Sequence, residues 1–355
     1  MATWDYTYIN VNGQAVKAQA PVIISASRST DIPAFYADWF FHRLHVGYSA
    51  WTNPFNGVKS YVSYEKTRFI VFWSKNPDPL IPYLPILKEK NIRCYIQYTL
   101  NNYEHEKLER VPSLEKRILT FKNLVKLLGI GSVIWRFDPL ILTTDITIDD
   151  LLNKIKYIGD QLNGYTEKFV FSYADIEPYK KVKSNLAKNN IPYINWTIPQ
   201  MDEFAKRLSI MNKERGWNFN LATCGEKINI EKYNITHNRC IDGDLITQIA
   251  WDDNVLMKFM GVTIKDTPQP DLFGSSLDLP QNAIILPNGK YFISAHKKDT
   301  GQRSLCGCMA AKDIGEYNTC PHLCEYCHAN TTKQTAINNW RCHQHNKLAE
   351  TITGK

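Results

Sequence analysis

Residues 68–99 read RFIVFWSKNPDPLIPYLPILKEKNIRCYIQYT and contain one complete βα repeat. The runs RFIVFW (68–73) and RCYIQYT (93–99) are rich in β-branched and aromatic residues, which is typical of strands. A helix fits between the two runs. Strands that alternate with helices in this way form parallel sheets, so the stretch predicts a fold of the α/β class.

The same alternation extends from about residue 20 to residue 225. Further strands are predicted at 22–26, 132–137, 168–173, 192–197 and 218–223, and helices are predicted to begin at Pro33, Ser113, Thr147 and Gln200. About seven βα units favour a TIM-like (β/α) barrel, complete or partial, over a doubly wound open sheet. The segment 47–65 breaks the rhythm and is predicted to be an inserted hairpin or a strand and a loop.

The βα rhythm stops after Cys224, which divides the chain into two regions. Residues 1–225 are predicted to form the (β/α) barrel core. Residues 226–355 are predicted to form a cysteine-rich, cluster-binding region that packs on the barrel and folds over its mouth. Within this region AIILPNGKYFI (283–293) predicts a hairpin, and GDLITQIAWDD (243–253) predicts a short helix.

Composition limits the classes of protein to consider. The 355 residues can bury a large core, and the longest apolar runs fall far below the ~18 residues that a membrane-spanning helix needs. No secretory signal is recognisable at the start, so we expect a cytoplasmic protein without a membrane partner. The net charge of +7 is spread over interrupted clusters, which favours a solvated surface over a nucleic-acid face.

Polar side chains recur at the ends of the predicted strands, where parallel barrels place their chemistry. Their arginines and lysine suit a carboxylate or phosphate ligand, although no phosphate-binding loop accompanies them. Each residue also has a structural interpretation, such as a helix cap or an internal ion pair. The candidates for a substrate or cofactor site are Arg28, Asp31, Lys75, Asn76, Gln97, Arg136, Asp138 and Glu226.

The cysteines indicate metal chemistry, because a reducing compartment disfavours disulfides. Cys320, Cys324 and Cys327 have the spacing CxxxCxxC, which fits a [4Fe-4S] cluster with one open iron better than it fits zinc. A second set would suffice for another cluster or for a zinc ion. This set comprises Cys224, Cys240, Cys306 and Cys308.

One alternative changes the number of metal sites. Cys306 or Cys308 could complete a single four-thiolate cluster with the CxxxCxxC cysteines, which would close the open iron. Cys94 is expected to be buried as a small apolar residue, and Cys342 is expected to have no metal role.

The stretch CPHLCEYC (320–327) resembles the signature of radical SAM enzymes, and CPHLCEYCHAN resembles its variant in spore photoproduct lyase-like members. The resemblance implies a full or partial (β/α) barrel, an iron-sulfur cluster and S-adenosylmethionine. Most of the chain is also similar to a bacterial family known as domain of unknown function 1848. The segments that carry this similarity are IISASRSTDIPAFY, NPFN, VFWSKNP, QYTLNNY, VIWRFDPLIL, CIDGD, QRSLCGC and DIGEYNTCPHLCEYCHAN.

The position of the motif departs from the radical SAM pattern. Those enzymes carry it after the first strand, whereas here it follows about nine-tenths of the chain. A circularly permuted barrel, with residues 319–330 folded back over the mouth, would reconcile the two. The alternative is an unrelated iron-sulfur site with the same spacing. His328 stands where that variant usually has a tyrosine, and this change leaves the cysteine ligands in place.

The hypothesis is therefore an iron-sulfur enzyme of radical SAM type that acts on an anionic or nucleotide-like substrate. Such an enzyme would take electrons from a reductant such as flavodoxin or ferredoxin. One alternative is an iron-sulfur redox sensor, or a protein that binds nucleic acid or a partner without SAM chemistry. A barrel enzyme stabilised by zinc is the other.

Overall fold

The computed structural model describes residues 4–53, 56–226, 228–268 and 279–354. In these ranges the strands are β1 (Asp5–Val11), β2 (Gln14–Ala20), β3 (Ile23–Ala26), β4 (Tyr48–Thr52), β5 (Lys59–Ser63), β6 (Phe69–Ser74), β7 (Arg93–Thr99), β8 (Val133–Leu140), β9 (Leu142–Thr143), β10 (Lys168–Tyr173), β11 (Tyr193–Ile194), β12 (Asn220–Thr223), β13 (Thr236–His237), β14 (Ala283–Ile285), β15 (Tyr291–Ile293) and β16 (Lys312–Asp313). The helices are α1 (Ile32–Phe35), α2 (Ala37–Val46), α3 (Leu84–Glu89), α4 (Leu114–Leu128), α5 (Ile148–Leu162), α6 (Lys180–Lys188), α7 (Ile198–Glu214), α8 (Gly243–Ala250), α9 (Asn254–Met260) and α10 (Lys333–His345), with 3₁₀ turns at Asp78–Tyr83 and Glu231–Tyr233.

A parallel sheet of eight strands organises the fold. Its strand order is β13-β12-β10-β8-β7-β6-β3-β16, and each neighbouring pair is parallel. The strands follow one another in chain order, except that β16 lies beside β3, the first strand of this sheet. In the part of the chain that is described, no hydrogen-bonded pair joins the outer strands β13 and β16. The predicted α/β class with a parallel sheet is confirmed.

The sheet is buried on both faces, which explains why its strands are continuous apolar runs. One face packs against helices of the N-terminal two thirds of the chain, with Trp39 of α2, Phe121 of α4 and Phe204 of α7 in the same core. The opposite face carries Tyr95 and packs in a second core with Ile246 of α8. The C-terminal region therefore covers a face of the sheet.

The strand predicted at 192–197 is wrong as a member of the parallel sheet. Only Tyr193–Ile194 are extended there, as β11, and they pair antiparallel with β9 outside the large sheet. Pro192 supplies no backbone N–H, and Thr197 accepts a hydrogen bond from the Gln200 backbone N as the N-cap of α7. That capping box also explains why α7 begins at Ile198 rather than at the predicted Gln200.

A second sheet forms at the N-terminus, with the order β1-β2-β5-β4. The hairpin β1–β2 was not predicted. Strands β4 and β5 pair antiparallel and account for the segment that interrupts the βα rhythm, as an inserted hairpin. Pro54 and Phe55, which belong to this segment of the sequence, lie outside the described residues.

Local signals place most of the helices correctly. Ser113 caps α4 by accepting a hydrogen bond from the Lys116 backbone N, and Gly129 follows the same helix with a φ of +90°. The helix predicted from Pro33 is divided at Tyr36 into α1 and α2. The hairpin predicted at 283–293 is present as β14 and β15. None of the helices in the described ranges is long and apolar enough to span a bilayer.

Candidate functional site

The ends of β3 and β6 bring two predicted site residues together. Asp31 follows β3, and Lys75 follows β6, its neighbour in the sheet. The Asp31 Oδ2 atom accepts a hydrogen bond from the Lys75 backbone N at 2.7 Å. Its Oδ1 atom accepts one from the Ala34 backbone N at 3.0 Å and caps α1. Asp31 is therefore a helix cap that also connects two neighbouring strand ends.

A buried carboxylate, Glu109, gathers side chains above these strand ends. Its Oε1 atom accepts hydrogen bonds from Lys75 Nζ at 2.8 Å, from Asn101 Nδ2 at 2.7 Å and from the Tyr326 hydroxyl. Burial alone would raise the pKa of Glu109. The charges of Lys75 and Arg117, with the hydrogen bonds from Lys75 and Tyr326, outweigh burial and lower this pKa to about 2. Glu109 is thus a buried, charged anchor at neutral pH.

Arg136 and Asp138 form an ion pair at the end of β8. Arg136 Nη2 donates to Asp138 Oδ2, and the Ser172 hydroxyl donates to Asp138 Oδ1. Arg136 Nη1 also donates to Gln97 Oε1 at 3.2 Å. Burial would raise the pKa of Asp138, but the Arg136 charge and the hydrogen bond from Ser172 lower it. Three predicted site residues therefore meet here, and the guanidinium group is already bonded within the protein.

The loop with the CxxxCxxC motif lies on these strand ends. His322 Nε2 is 2.8 Å from Asp31 Oδ2, and His322 Nδ1 is 2.9 Å from the Arg110 carbonyl oxygen. Backbone bonds add to this contact, since the Glu325 N–H donates to the Leu108 carbonyl at 3.0 Å. The motif loop therefore lies at the carboxyl edge of the sheet.

The three thiols of the motif lie in a protein interior that disfavours charge. Cys324 is buried, and Cys320 and Cys327 are half-buried. Burial raises the pKa of all three thiols, and at Cys324 and Cys327 the positive charge of Lys75 partly opposes this effect. Thiols in such surroundings keep their protons unless a cation lies among them.

The second set of cysteines, here called the four-cysteine group, consists of Cys224, Cys240, Cys306 and Cys308. The Cys224 and Cys240 Sγ atoms are 3.4 Å apart, and the Cys240 backbone N donates to Cys308 Sγ at 3.2 Å. Hydrogen bonds from Cys308 outweigh burial and lower the pKa of Cys306 to about 6. Three distant segments of the chain thus meet in a row of thiols.

Two side chains of the sheet region donate to these sulfur atoms. Arg136 Nη1 is 3.3 Å from Cys240 Sγ, and Asn238 Nδ2 is 3.2 Å from Cys224 Sγ and 3.1 Å from Cys240 Sγ. The loop at Cys240 is also anchored through its carbonyl oxygen, which accepts from the Tyr95 hydroxyl at 2.6 Å and from Gln97 Nε2 at 3.0 Å. Donors of this kind stabilise thiolates.

The contacts of Cys306 and Cys308 bear on the number of metal sites. Cys306 interacts with Cys308, and Cys308 interacts with Cys240, so both belong to the four-cysteine group. A single cluster that combines Cys306 or Cys308 with the motif cysteines stays an alternative prediction. Over the ranges described, no set of three or more His, Cys, Asp or Glu side chains is arranged as it stands to hold a metal ion.

Three predicted site residues remain to be placed, namely Arg28, Asn76 and Glu226. Arg28 is exposed, and its guanidinium carbon lies 5.6 Å from the centre of the Trp73 ring. Asn76 is half-buried beside Lys75, and its backbone N donates to Ser74 Oγ at 2.9 Å. Glu226 is half-buried, and burial raises its pKa to about 7 despite a hydrogen bond from the Tyr173 backbone N.

Several residues of the site are not predictable from sequence patterns. Asp313 accepts hydrogen bonds from Ser27 Oγ at 2.7 Å and from the Arg28 backbone N at 2.8 Å, and so joins β16 to the end of β3. Its strand of two residues has no recognisable pattern. Glu109 lies in a charged loop, and only its place after a predicted strand hints at a role. Asn238 gives no signal beyond its nearness to Cys240.

The fold and the site together define an α/β protein whose parallel sheet carries buried ion pairs and a cysteine loop at its carboxyl edge. A family model described as a domain of unknown function (DUF1848) matches residues 23–329. The chain therefore belongs to the DUF1848 family. Searches of the curated proteins and of the solved structures found no match. The matched range includes both the first strand of the large sheet and the cysteine motif, so the two belong to one family domain.

Proposed function

We propose that this protein is an iron-sulfur enzyme of radical SAM type, in which Cys320, Cys324 and Cys327 hold a [4Fe-4S] cluster. The observation that carries the proposal is the contact between His322 and Asp31, which brings the CxxxCxxC loop to the strand ends of a parallel sheet. Active sites of parallel barrels lie at this edge. We further propose that the eight strands form a partial barrel, because β16 returns to lie beside β3.

The donor set fits such a cluster. Three buried or half-buried thiols stand on one short loop, and three thiolates leave one iron of a [4Fe-4S] cluster open. When bound, the cluster would supply an electron to S-adenosylmethionine, whose amino and carboxyl groups the resemblance places on the open iron. A reductant such as flavodoxin or ferredoxin would supply that electron in the reducing cytoplasm.

The protein's own residues hold this loop and shape the space beside it. Lys75 places its ammonium group on Glu109 and on the Tyr326 hydroxyl, 2.8 and 2.9 Å away, and so fixes the residue before Cys327. Asp138 keeps 28% of its side chain exposed, while its partner Arg136 keeps 4%. The exposed guanidinium of Arg28 is available to an anionic or nucleotide-like substrate. Binding is thus assigned to Arg28 and Asp138, and positioning to Lys75 and His322.

Metal analysis tests the proposal. Protein purified without oxygen should contain about four irons and four acid-labile sulfides for each motif loop. Cys324→Ala should lose this iron and sulfide while its circular dichroism spectrum stays unchanged. Cys342→Ala, which removes an exposed cysteine of α10, is the matched control and should keep both. Zinc in the motif loop without sulfide would overturn the proposal.

A second experiment tests the chemistry. Addition of S-adenosylmethionine to the reduced protein should change the electron paramagnetic resonance spectrum of the cluster and yield 5′-deoxyadenosine. Iron and sulfide without either response would instead favour a redox sensor, or a protein that binds nucleic acid or a partner without SAM chemistry.

A further inference from the structure

The four-cysteine group connects segments that flank the two outer strands of the large sheet, and Cys240 also contacts the central strands β7 and β8 through Gln97 and Arg136. The outer strands are β13 and β16, and Cys240 follows β13 whereas Cys308 precedes β16. The Cys240 N–H donates to Cys308 Sγ at 3.2 Å, and the Met309 N–H donates to the Ile241 carbonyl at 3.0 Å. The segment after β13 and the segment before β16 therefore contact each other through these residues.

The chemistry of the group is that of a metal site. The four cysteines are free, and Cys240 and Cys308 are buried among the apolar side chains of the second core. Arg136 and Asn238 direct N–H groups at the sulfur atoms of Cys240 and Cys224. These N–H groups are hydrogen-bond donors to the sulfur atoms of two of the four cysteines, and cysteine binds metal through sulfur.

The spacing of the sulfur atoms distinguishes between metal groups. A zinc ion holds four thiolates at 2.3 Å, so neighbouring sulfur atoms of a tetrahedral site are about 3.8 Å apart. The Cys224 and Cys240 Sγ atoms, at 3.4 Å, are close to that separation. A [4Fe-4S] cluster binds each thiolate to a different iron and would force the row of thiols apart. The four sulfur atoms follow one another in the order Cys224, Cys240, Cys308, Cys306. Binding of one ion would therefore require the sulfur atoms of Cys224 and Cys306 to move closer together.

We propose that Cys224, Cys240, Cys306 and Cys308 bind one zinc ion that joins the segments after β12 and β13 to the segment before β16. Four protein ligands leave no position for substrate, so the ion is structural. This site is separate from the motif of the proposed function and does not depend on it.

Element analysis of variants tests the zinc site. The triple variant Cys320→Ala, Cys324→Ala, Cys327→Ala should retain about one zinc per chain and contain no acid-labile sulfide. Addition of Cys240→Ser or Cys308→Ser to it should release most of this zinc. Cys94→Ala, in the buried strand β7, is the control and should leave the zinc content unchanged. Sulfide that persists in the triple variant would show a second cluster and overturn the proposal, as would a lack of zinc.

A measurement on the triple variant itself keeps the test independent of the folding of the serine variants. Titration with a mercurial reagent should release its zinc as four thiols react, and cobalt in place of zinc should give the absorption bands of a tetrahedral four-thiolate site. Absorption bands typical of a cobalt ion with fewer than four thiolate ligands would contradict the proposal. Zinc release that does not follow the modification of thiols would contradict it as well. A failure of the proposed function would give a different result from a failure of the zinc site. The wild-type protein would then lack iron and acid-labile sulfide but would still contain zinc.

Discussion

His322 Nε2 lies 2.8 Å from Asp31 Oδ2, although 291 residues separate them in the chain. Asp31 stands in the loop after the first strand of the large sheet, which is the loop that carries the cysteine motif in radical SAM enzymes. Here the motif comes from the far end of the chain and is hydrogen-bonded to that loop. A circularly permuted barrel would produce the same arrangement.

His322→Asn should destabilise the protein and weaken the motif site. The two ring nitrogens of the buried His322 lie 2.9 Å from the Arg110 carbonyl oxygen and 2.8 Å from Asp31 Oδ2. Loss of a buried hydrogen-bond partner costs about 1–3 kcal/mol in the free energy of unfolding. Chemical denaturation would measure this loss, and iron analysis would measure cluster retention. His345→Asn, which changes an exposed histidine of α10, should alter neither quantity.

Glu109→Gln should change the dependence of stability on pH. The folded-state pKa of Glu109 is lowered from 4.5 to about 2, so its contribution is present above pH 4.5 and is lost as the pH falls toward 2. The shift corresponds to about 3 kcal/mol in the free energy of unfolding. The difference between wild type and variant should therefore be largest near neutral pH and should shrink between pH 4.5 and 2.

Urea unfolding at a series of pH values would measure this difference. Glu115→Gln, at an exposed position in the first turn of α4, is the matched control and should give a difference that hardly varies with pH. A Glu109→Gln difference that stays constant over the same range would contradict the assigned role of Glu109.

Arg136→Met should cost far more stability than a matched change at an exposed ion pair. The side chain of Arg136 is 4% exposed and bonds to Asp138, Gln97 and Cys240. Its removal should lower the free energy of unfolding by about 3–5 kcal/mol. Arg93→Met breaks a pair with Asp252 whose two side chains are 41% and 47% exposed, and should cost at most about 1 kcal/mol. If Arg136→Met and Arg93→Met lower the free energy of unfolding equally in denaturation experiments, the bonds of Arg136 stabilise the protein no more than an exposed ion pair does.

Gly315→Ala should disturb the approach of the motif segment to β3. A Cβ atom at Gly315 would lie 1.8 Å from Ser27 Oγ and 2.6 Å from Ser27 Cβ. Overpacking of this kind costs about 1–3 kcal/mol, and we expect a lower iron content as well. The control is Gly301→Ala, where the nearest atom, an oxygen of the half-buried Asp299 side chain, is 3.3 Å away. Unchanged melting temperature and iron content in Gly315→Ala would contradict the close packing at Ser27.

The long apolar runs were sufficient to predict the main strands of the sheet. RCYIQYT and KFVFSY correspond to β7 and β10 residue for residue, because strands buried on both faces have a strong compositional signal. The run at 192–197 has a similar composition, yet tertiary context prevents it from joining the sheet. Strands β13 and β16 contain two residues each and have no pattern that a sequence could show.

Sequence patterns were sufficient to predict individual residues of the site but not the contacts between them. Polar residues after strands indicated Asp31, Lys75 and Arg136, because parallel strands end at one edge. The partners Glu109 and Asp313 come from loops and from a minimal strand, and only the folded chain brings them into contact. The interaction of His322 with Asp31 depends on the return of a distant segment, which local spacing does not encode.

The position of β16 beside β3 has a consequence for biosynthesis. Lys312 pairs with Ile24, so β3 keeps one unpaired edge until residue 312 has been synthesised. An unpaired strand edge is a template for association with other chains, which makes the nascent protein dependent on protection during translation. The motif loop follows β16 and can dock only on a sheet that is already made. Docking of this loop on the strand ends is therefore expected among the last steps of folding.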